Sequence, residues 1–228
     1  MLLSRTFHFF GTAEYIDEQV SDINCLRDKP MLQAADLEQP FIIWEPHAKS
    51  CLPETLDAHV SAARCVDVFS PNHEELAAFW GESDDGPADS NAGLNKALVE
   101  DRAQVFTHVG IGSSRTGCIV VRAAGHGCMI LSGTDHAVWL PSFYASDSHM
   151  VVDATGAGNA FLGAFAIGWQ ETGSYVEAAK YGQVAASFVI EGVGLPVRFS
   201  HGEKELWNTC SVRQRLAEYR ARVHGQQS

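Results

Sequence analysis

Short runs of unbroken apolar residues alternate with helix-patterned segments, and this alternation most restricts how the chain can fold. Phe41-Ile42-Ile43-Trp44 is apolar at every position and is stopped by Pro46. A run without polar alternation reads as a strand covered on both faces, the habit of parallel sheets. Pro53 suits a first helical turn and opens a helix expected to reach Arg64, with Leu56, Val60 and Ala63 on one face. Cys65 to Phe69 reads as the next strand, Ser70-Pro71-Asn72 as a turn, and His73 to Trp80 as a helix closed by Gly81. Glu82 to Gly93 is acidic and rich in Gly, Ser, Asp and Pro, so a surface loop is expected there.

Beyond that loop, Leu94 to Gln104 reads as helix and Val105 to Val109 as strand. Gly117–Arg122 and Gly127–Leu131 form two short strands about a turn at 123–126, and His136–Leu140 forms another. Helices over Gly158–Glu171 and Ser174–Glu191 follow, the second opened by a Ser174/Glu177 capping box. Strands alternating with helices predict an α/β fold, a mainly parallel sheet with helices on both faces. At 228 residues, 46% hydrophobic and 19% charged, one domain over 1–228 with a sizeable core is expected.

Sixteen Lys and Arg against 28 Asp and Glu give a net charge of -12, which opposes a nucleic-acid partner. Arg213, Arg215, Arg220 and Arg222 crowd the C-terminal helix or tail (205–228) at helical spacing. They read as a solvated helix face before a partner or membrane contact. The six cysteines form no C-x-x-C pair, and those in apolar runs such as Cys65–Phe69 read as buried reduced thiols. That usage fits a reducing, cytoplasmic compartment. The first ten residues are too interrupted for a signal-peptide core, and no run approaches the roughly 18 apolar residues of a membrane span, so no membrane partner is expected.

The densest motif is Asp153-Ala154-Thr155-Gly156-Ala157-Gly158-Asn159-Ala160-Phe161-Leu162-Gly163. A glycine-rich turn entering a helix leaves backbone N–H groups pointing outward, and the helix dipole favours an anion there. A tight turn that binds nothing is the other reading of the same residues. No G-K-[ST] occurs, and position 161 is Phe, so neither a P-loop nor G-x-G-x-x-G is present. H-E-x-x-H and G-x-S-x-G are also absent. Trp44-Glu45-Pro46-His47 reads as a turn with a packed Trp before a pocket lining, and Ser113-Ser114-Arg115 as a polar loop before a phosphate contact.

These residues resemble the ribokinase-like (pfkB) carbohydrate kinases, whose C-terminal signature runs D-T-x-G-A-G-D-x-F-x-G-G. Ser70-Pro71-Asn72-His73-Glu74-Glu75 resembles the family's N-x-x-E motif, and His108-Val109-Gly110-Ile111-Gly112 its T-L-G-x-x-G strand and turn. The resemblance covers roughly Phe41 to Phe199. Ser-Pro-Asn followed by Gly-Asn-Ala-Phe-Leu-Gly is also similar to a fungal subgroup named for maintenance of killer virus.

The resemblance implies an ATP-dependent transfer of phosphate to a sugar-like alcohol. It implies that Gly156 opens the turn and that Ala157, Gly158 and Asn159 donate N–H groups to the γ-phosphate. Thr155, Gly110 and Gly112 would meet the nucleotide, and Ala185 to Gly194 would wall the adenine. Asn72 and Glu75 would hold Mg²⁺ through water, with Asp153 beside a monovalent cation. Two departures stand out. The family has an aspartate base where this chain has Asn159, and an amide has no useful basicity. Before Phe41 none of the family's first strands, sugar-binding motifs or lid is expected, so the chain reads as a kinase with its N-terminal part missing. An unpaired sheet edge would then favour self-association. An impaired kinase, a nucleotide-binding pseudokinase with an interaction role, and a bare scaffold are the three functions left open.

Overall fold

The structure is a computed structural model and describes residues 3–29, 38–82, 93–133, 135–145, 147–201 and 204–226. Most of the acidic loop expected over 82–93 lies outside the described residues. The chain divides into two compact units, 1–122 with 129–137, and 123–128 with 138–228.

The first unit is an α/β layer. Its strands are β1 (Thr6–Gly11), β2 (Phe41–Pro46), β3 (Val68–Phe69), β4 (Cys118–Arg122) and β5 (Cys128–Ser132), standing in that order. The first residue of β5, Cys128, counts with the second unit. The pairs β1–β2, β2–β3 and β3–β4 are all parallel, with Thr6 opposite Phe41, Ile43 opposite Val68, and Val68 opposite Cys118. Helices α1 (Ala13–Arg27), α2 (Leu56–Ala62), α3 (His73–Ala78) and α4 (Lys96–Val109) connect them. In this unit α1 packs on α2, α2 on α4, and α4 on α3.

Fully apolar strands are buried as expected: every residue of β2 is buried. Aromatic rings tie sheet to helices, with Trp44 4.8 Å from Phe69 and Phe69 4.7 Å from Phe106 between centroids. Trp44 is fully buried, and its Nε1 donates to the Gly11 carbonyl at 3.0 Å, so the Trp is packed as expected, but Trp44-Glu45-Pro46 belongs to β2 and not to a turn.

Three expectations are corrected here. A strand does precede Phe41: β1 pairs along its whole length with β2, and Thr12 caps α1 behind it. Only Phe7 of its six residues is buried, so no apolar run announces it. Val105–Val109 is helix, not strand. Val99, Ala103 and Phe106 continue one buried helical stripe through it, while Val105 and Val109 face solvent. Helical packing here overrides the strand preference of β-branched residues. Gly110, at φ +98°, ends that helix and donates its N–H to the Phe106 carbonyl. Finally, Cys65 is exposed, because it closes a 3₁₀ turn outside the short β3, whereas Cys51, Cys118 and Cys128 are buried.

The second unit holds β6 (Val138–Leu140), helices α5 (Ala157–Thr172) and α6 (Tyr175–Val189), the antiparallel pair β7 (Arg198–His201) and β8 (Lys204–Trp207), and α7 (Val212–Gln226). Helices α5 and α6 pack along their lengths, and α7 lies against α6. Ser174 caps α6 by accepting from the Glu177 N–H, but the capping box is only half formed. The Glu177 carboxylate turns instead to Lys180 at 2.6 Å and Arg220 at 2.9 Å, while the Ser174 N–H donates to Thr172 Oγ1.

The arginines of α7 are anchors rather than a solvated face. Arg215 is buried, pairs with Glu191 at 2.6 Å, donates to Ser187 Oγ at 3.0 Å and lies 3.7 Å from the Phe188 ring centre. Arg222 donates to the Phe143 carbonyl, and Tyr219 donates to that of Pro141. Arg213 and Arg222 are exposed and match the solvated reading in that respect, although Arg222 also reaches backbone carbonyls, and Arg220 is half-buried. No helix among the described residues is long and apolar enough to cross a membrane.

Two glycines of this unit make a signed stability test. Gly127 sits at φ +92° and ψ -131°, and a Cβ there would lie 1.9 Å from the Leu140 carbonyl oxygen. Gly163 is in mid-helix with nothing within 4 Å of such a Cβ. Gly127→Ala is expected to cost about 2–4 kcal/mol through strain and overlap. Gly163→Ala should gain about 0.5–1 kcal/mol from helix propensity. Thermal melts of the two variants should therefore shift in opposite directions, by roughly 2–4 °C per kcal/mol for a chain of this size.

Candidate functional site

The glycine turn lies in the second unit. Val152 and Asp153 both donate their backbone N–H to the Ile190 carbonyl, at 2.8 and 3.3 Å, which fixes the approach to the turn against the end of α6. Asp153 Oδ1 then accepts from the Thr155 N–H at 2.9 Å. That bond, with a second from the Thr155 side chain, holds the Asp153 carboxyl below its ordinary range. Gly156 takes the left-handed conformation, φ +84°, as the residue before α5. A β-carbon is unfavourable in that conformation, so a glycine is required here.

Not every donor expected at this turn is available. The Ala157 N–H is turned inward, onto the Ala154 carbonyl at 3.1 Å, so Ala157 is removed from the set. The first helical bond of α5 runs from Ala160 N–H to the Gly156 carbonyl. Between them, the N–H groups of Gly158 and Asn159 are the two that a helix start leaves without an intrahelical acceptor. Asn159 is exposed. Val189 is the nearest side chain to Gly156, 3.7 Å from the place of a Cβ.

The second cluster lies in the first unit, at the C-terminal ends of β2, β3 and β4, where parallel sheets place ligand sites. Asn72 caps α3: its Oδ1 accepts from the Glu75 N–H, and Glu75 Oε2 accepts from the Asn72 N–H, both at 2.7 Å. Arg122, the last residue of β4, sets Nη1 2.9 Å from Glu45 Oε1 and Nη2 3.4 Å from Glu75 Oε2. Its Nη2 also donates to the Ser70 carbonyl at 3.0 Å. His8 Nε2 lies 3.2 Å from the other oxygen of Glu45.

The two carboxylates are equally buried and respond oppositely. Burial pushes Glu75 up, and the Asn72 N–H and Arg122 do not offset it. Burial also pushes Glu45 up, but the bonds and charges of His8 and Arg122 outweigh it and bring Glu45 below its ordinary value.

The sequence pattern therefore found Asn72 and Glu75 but missed Arg122, Glu45 and His8. Of these, only Glu45 stood in a segment singled out from sequence. Gly110 and Gly112 follow a helix, so the strand-and-turn expected there is misplaced. A strand entering a tight turn occurs instead where β4 meets Arg122-Ala123-Ala124-Gly125-His126-Gly127. There Ala124 has φ +46°, a conformation that favours glycine, and Gly127 has φ +92°.

Do these groups suit the cofactors expected? The turn at 156–159 suits a phosphate: two N–H groups without an intrahelical acceptor at a helix N-terminus, beside a left-handed glycine. The Asn72/Glu75 pair does not suit a directly held divalent cation, because Asn72 Oδ1 and Glu75 Oε2 already accept backbone N–H groups and a guanidinium lies against Glu75. Asp153 is occupied in its own turn. Among the described residues no group of three or more His, Cys, Asp or Glu is arranged to hold a metal ion.

Parallel strands joined by crossover helices, with a glycine turn leading into a long helix, define a layered α/β protein of the kind that binds ligands at strand ends and helix starts. Within that class the chain belongs to the pfkB family of carbohydrate kinases, whose sequence profile matches residues 31–196. An uncharacterized protein of Schizosaccharomyces pombe is 36% identical over 195 residues, 79% of this chain and 52% of that protein. Protein MAK32 of Saccharomyces cerevisiae is 28% identical over 207 residues, 86% of this chain and 53% of its own length, in keeping with the fungal subgroup. The solved structure of Escherichia coli phosphofructokinase-2 in complex with potassium superposes with a TM-score of 0.60 at 15% identity. It covers 95% of this chain and 58% of the bacterial one, and so speaks to fold. The chain spans about half the length of the curated relatives it matches.

The opposed shifts of the two glutamates give a test. A carboxylate held below its unfolded value contributes stability above that value and loses it as pH falls through the folded one. Glu45→Gln should therefore destabilise the protein at pH 7 by about 3 kcal/mol, the scale of breaking a buried ion pair. The gap to wild type should begin to narrow as pH falls through the ordinary glutamate range near about 4.3 and close only at lower pH, where Glu45 itself is protonated. Glu75→Gln, which removes a charge that burial already penalises, should cost less at pH 7. Urea melts across pH measure both.

Proposed function

We propose that this chain binds ATP or ADP by its phosphates at the turn 155–159, and that it is a sugar-kinase-type phosphotransferase whose transfer step is slowed by Asn159. The observation that carries the reading is the pair of open N–H groups on Gly158 and Asn159 at the start of the sixteen-residue α5. A bound nucleotide supplies the phosphoryl group. The chain's part is to hold it: both N–H groups point where negative charge builds during transfer, and they need no reorganisation to do so. Thr155, its N–H tied to Asp153, keeps the turn in shape.

The end of α6 lies beside this turn through Val189 and Ile190. Beyond it Val193 and Leu195 are 84% and 91% exposed, an apolar surface suited to one face of a flat base. Val193 supports the Ala185–Gly194 segment as the adenine wall, and Leu195 lies one residue beyond it. The acceptor is a hydroxyl of a sugar-like substrate. The Asn159 amide can orient such a hydroxyl by hydrogen bonding but cannot take its proton, and loss of a general base typically costs ~10²–10⁴ in rate.

The same amide supports a second reading, a nucleotide-binding pseudokinase, and one variant separates the two. Asn159→Asp is nearly isosteric and adds a base at a helix start that tolerates negative charge. For an impaired kinase it should raise phosphoryl transfer by about 10-fold or more and weaken ATP binding several-fold through repulsion of the phosphates. A pseudokinase shows only the weaker binding. Calorimetry with ATP and ADP, with magnesium in solution, should give saturable heat at millimolar nucleotide. Absence of both heat and a melting shift would sink the nucleotide reading.

A further inference from the structure

Arg122 is held in place before any ligand arrives. Its backbone N–H donates to the Pro71 carbonyl at 3.1 Å, and it bridges Asn72 in parallel fashion at the head of α3. Its guanidinium is thereby set between carboxylates from two elements, Glu45 of β2 and Glu75 of α3, each only 8% exposed. Two carboxylates buried this close need a cation between them, or one must take up a proton. A divalent ion would satisfy that need, and so does a guanidinium, which stays charged at every working pH and cannot dissociate.

The oxygens tell the same story. Glu75 Oε2, the atom facing Arg122, and Asn72 Oδ1 both point to backbone N–H groups at 2.7 Å. A cation at that place would displace the guanidinium or break the cap that starts α3. Mg²⁺ demands near-octahedral oxygen geometry and tolerates neither a competing donor nor a neighbouring positive charge well.

We infer that Arg122 is a resident guanidinium standing where the Asn72–Glu75 pair would otherwise hold a divalent cation, and that this pair binds no such cation in the native chain. The inference deepens the metal side of the proposed nucleotide site. It is tested without nucleotide, so that its failure and the failure of nucleotide binding are separate results.

The test is Mn²⁺ titration of the full chain, read by loss of the free-ion electron paramagnetic resonance signal. Wild type and Glu75→Gln should bind Mn²⁺ equally weakly, through scattered surface carboxylates alone. Arg122→Gln should create one saturable site at least 10-fold tighter, and adding Glu75→Gln should remove it. Circular dichroism checks that each variant is folded. A wild-type Mn²⁺ site lost in Glu75→Gln would overturn the inference. So would a folded Arg122→Gln that gains no site. If Arg122→Gln does not fold, the comparison of wild type with Glu75→Gln decides alone.

Discussion

Two glutamates from different elements share one arginine at the top of the sheet, and much of the first unit depends on that sharing. Glu45 is the penultimate residue of β2, Glu75 lies in α3, and Arg122 ends β4, with Ser70 just past β3 also accepting from the guanidinium. The contact thus ties three parallel strands to the helix that follows the middle one. A buried ion pair gains little net energy over an apolar substitute, but a lone member of it is costly. The arrangement therefore resists any slip in register, because moving one strand by a residue would strand a charge in the core. The aromatic chain Trp44, Phe69 and Phe106 fills the layer beneath and brings the burial that the ionic cluster does not.

The second unit is organised around carbonyls and anchors. The Ile190 carbonyl receives two N–H groups from the approach to the glycine turn. One residue on, Glu191 accepts from Arg215 of α7, from Tyr144 and from Asn208. The end of α6 is thus clamped on several sides, and the clamp fixes the turn that opens α5. Arginines that look like surface charge are what keep the helix start in position.

Membership of the pfkB family gives the fold its place, and two residues bear on the proposed site. Asn159 puts an amide where the resemblance implies an aspartate, at a turn where the Ala157 N–H is turned inward and those of Gly158 and Asn159 are the helix-start donors. Arg122 brings a fixed cation to the N-x-x-E pair. Arg122 also holds strand ends together, whereas the Asn159 side chain is exposed.

What could be read from the sequence was set by local signals. β2, β4 and β5 are unbroken apolar runs, and burial on both faces leaves no other reading for them. The turn before α5 was legible because Gly156 and Gly158 announce a left-handed residue and a close approach within four positions. Tertiary packing decided the rest. β1 buries only Phe7 fully and exists as a strand because β2 offers it a parallel partner. Val105 to Val109 is helical because Val99, Ala103 and Phe106 extend a stripe that the core needs. Arg122 could not be read at all, since its partner Glu75 lies 47 residues away along the chain. Only the parallel sheet, by bringing the ends of its strands together, puts that charge beside its carboxylates.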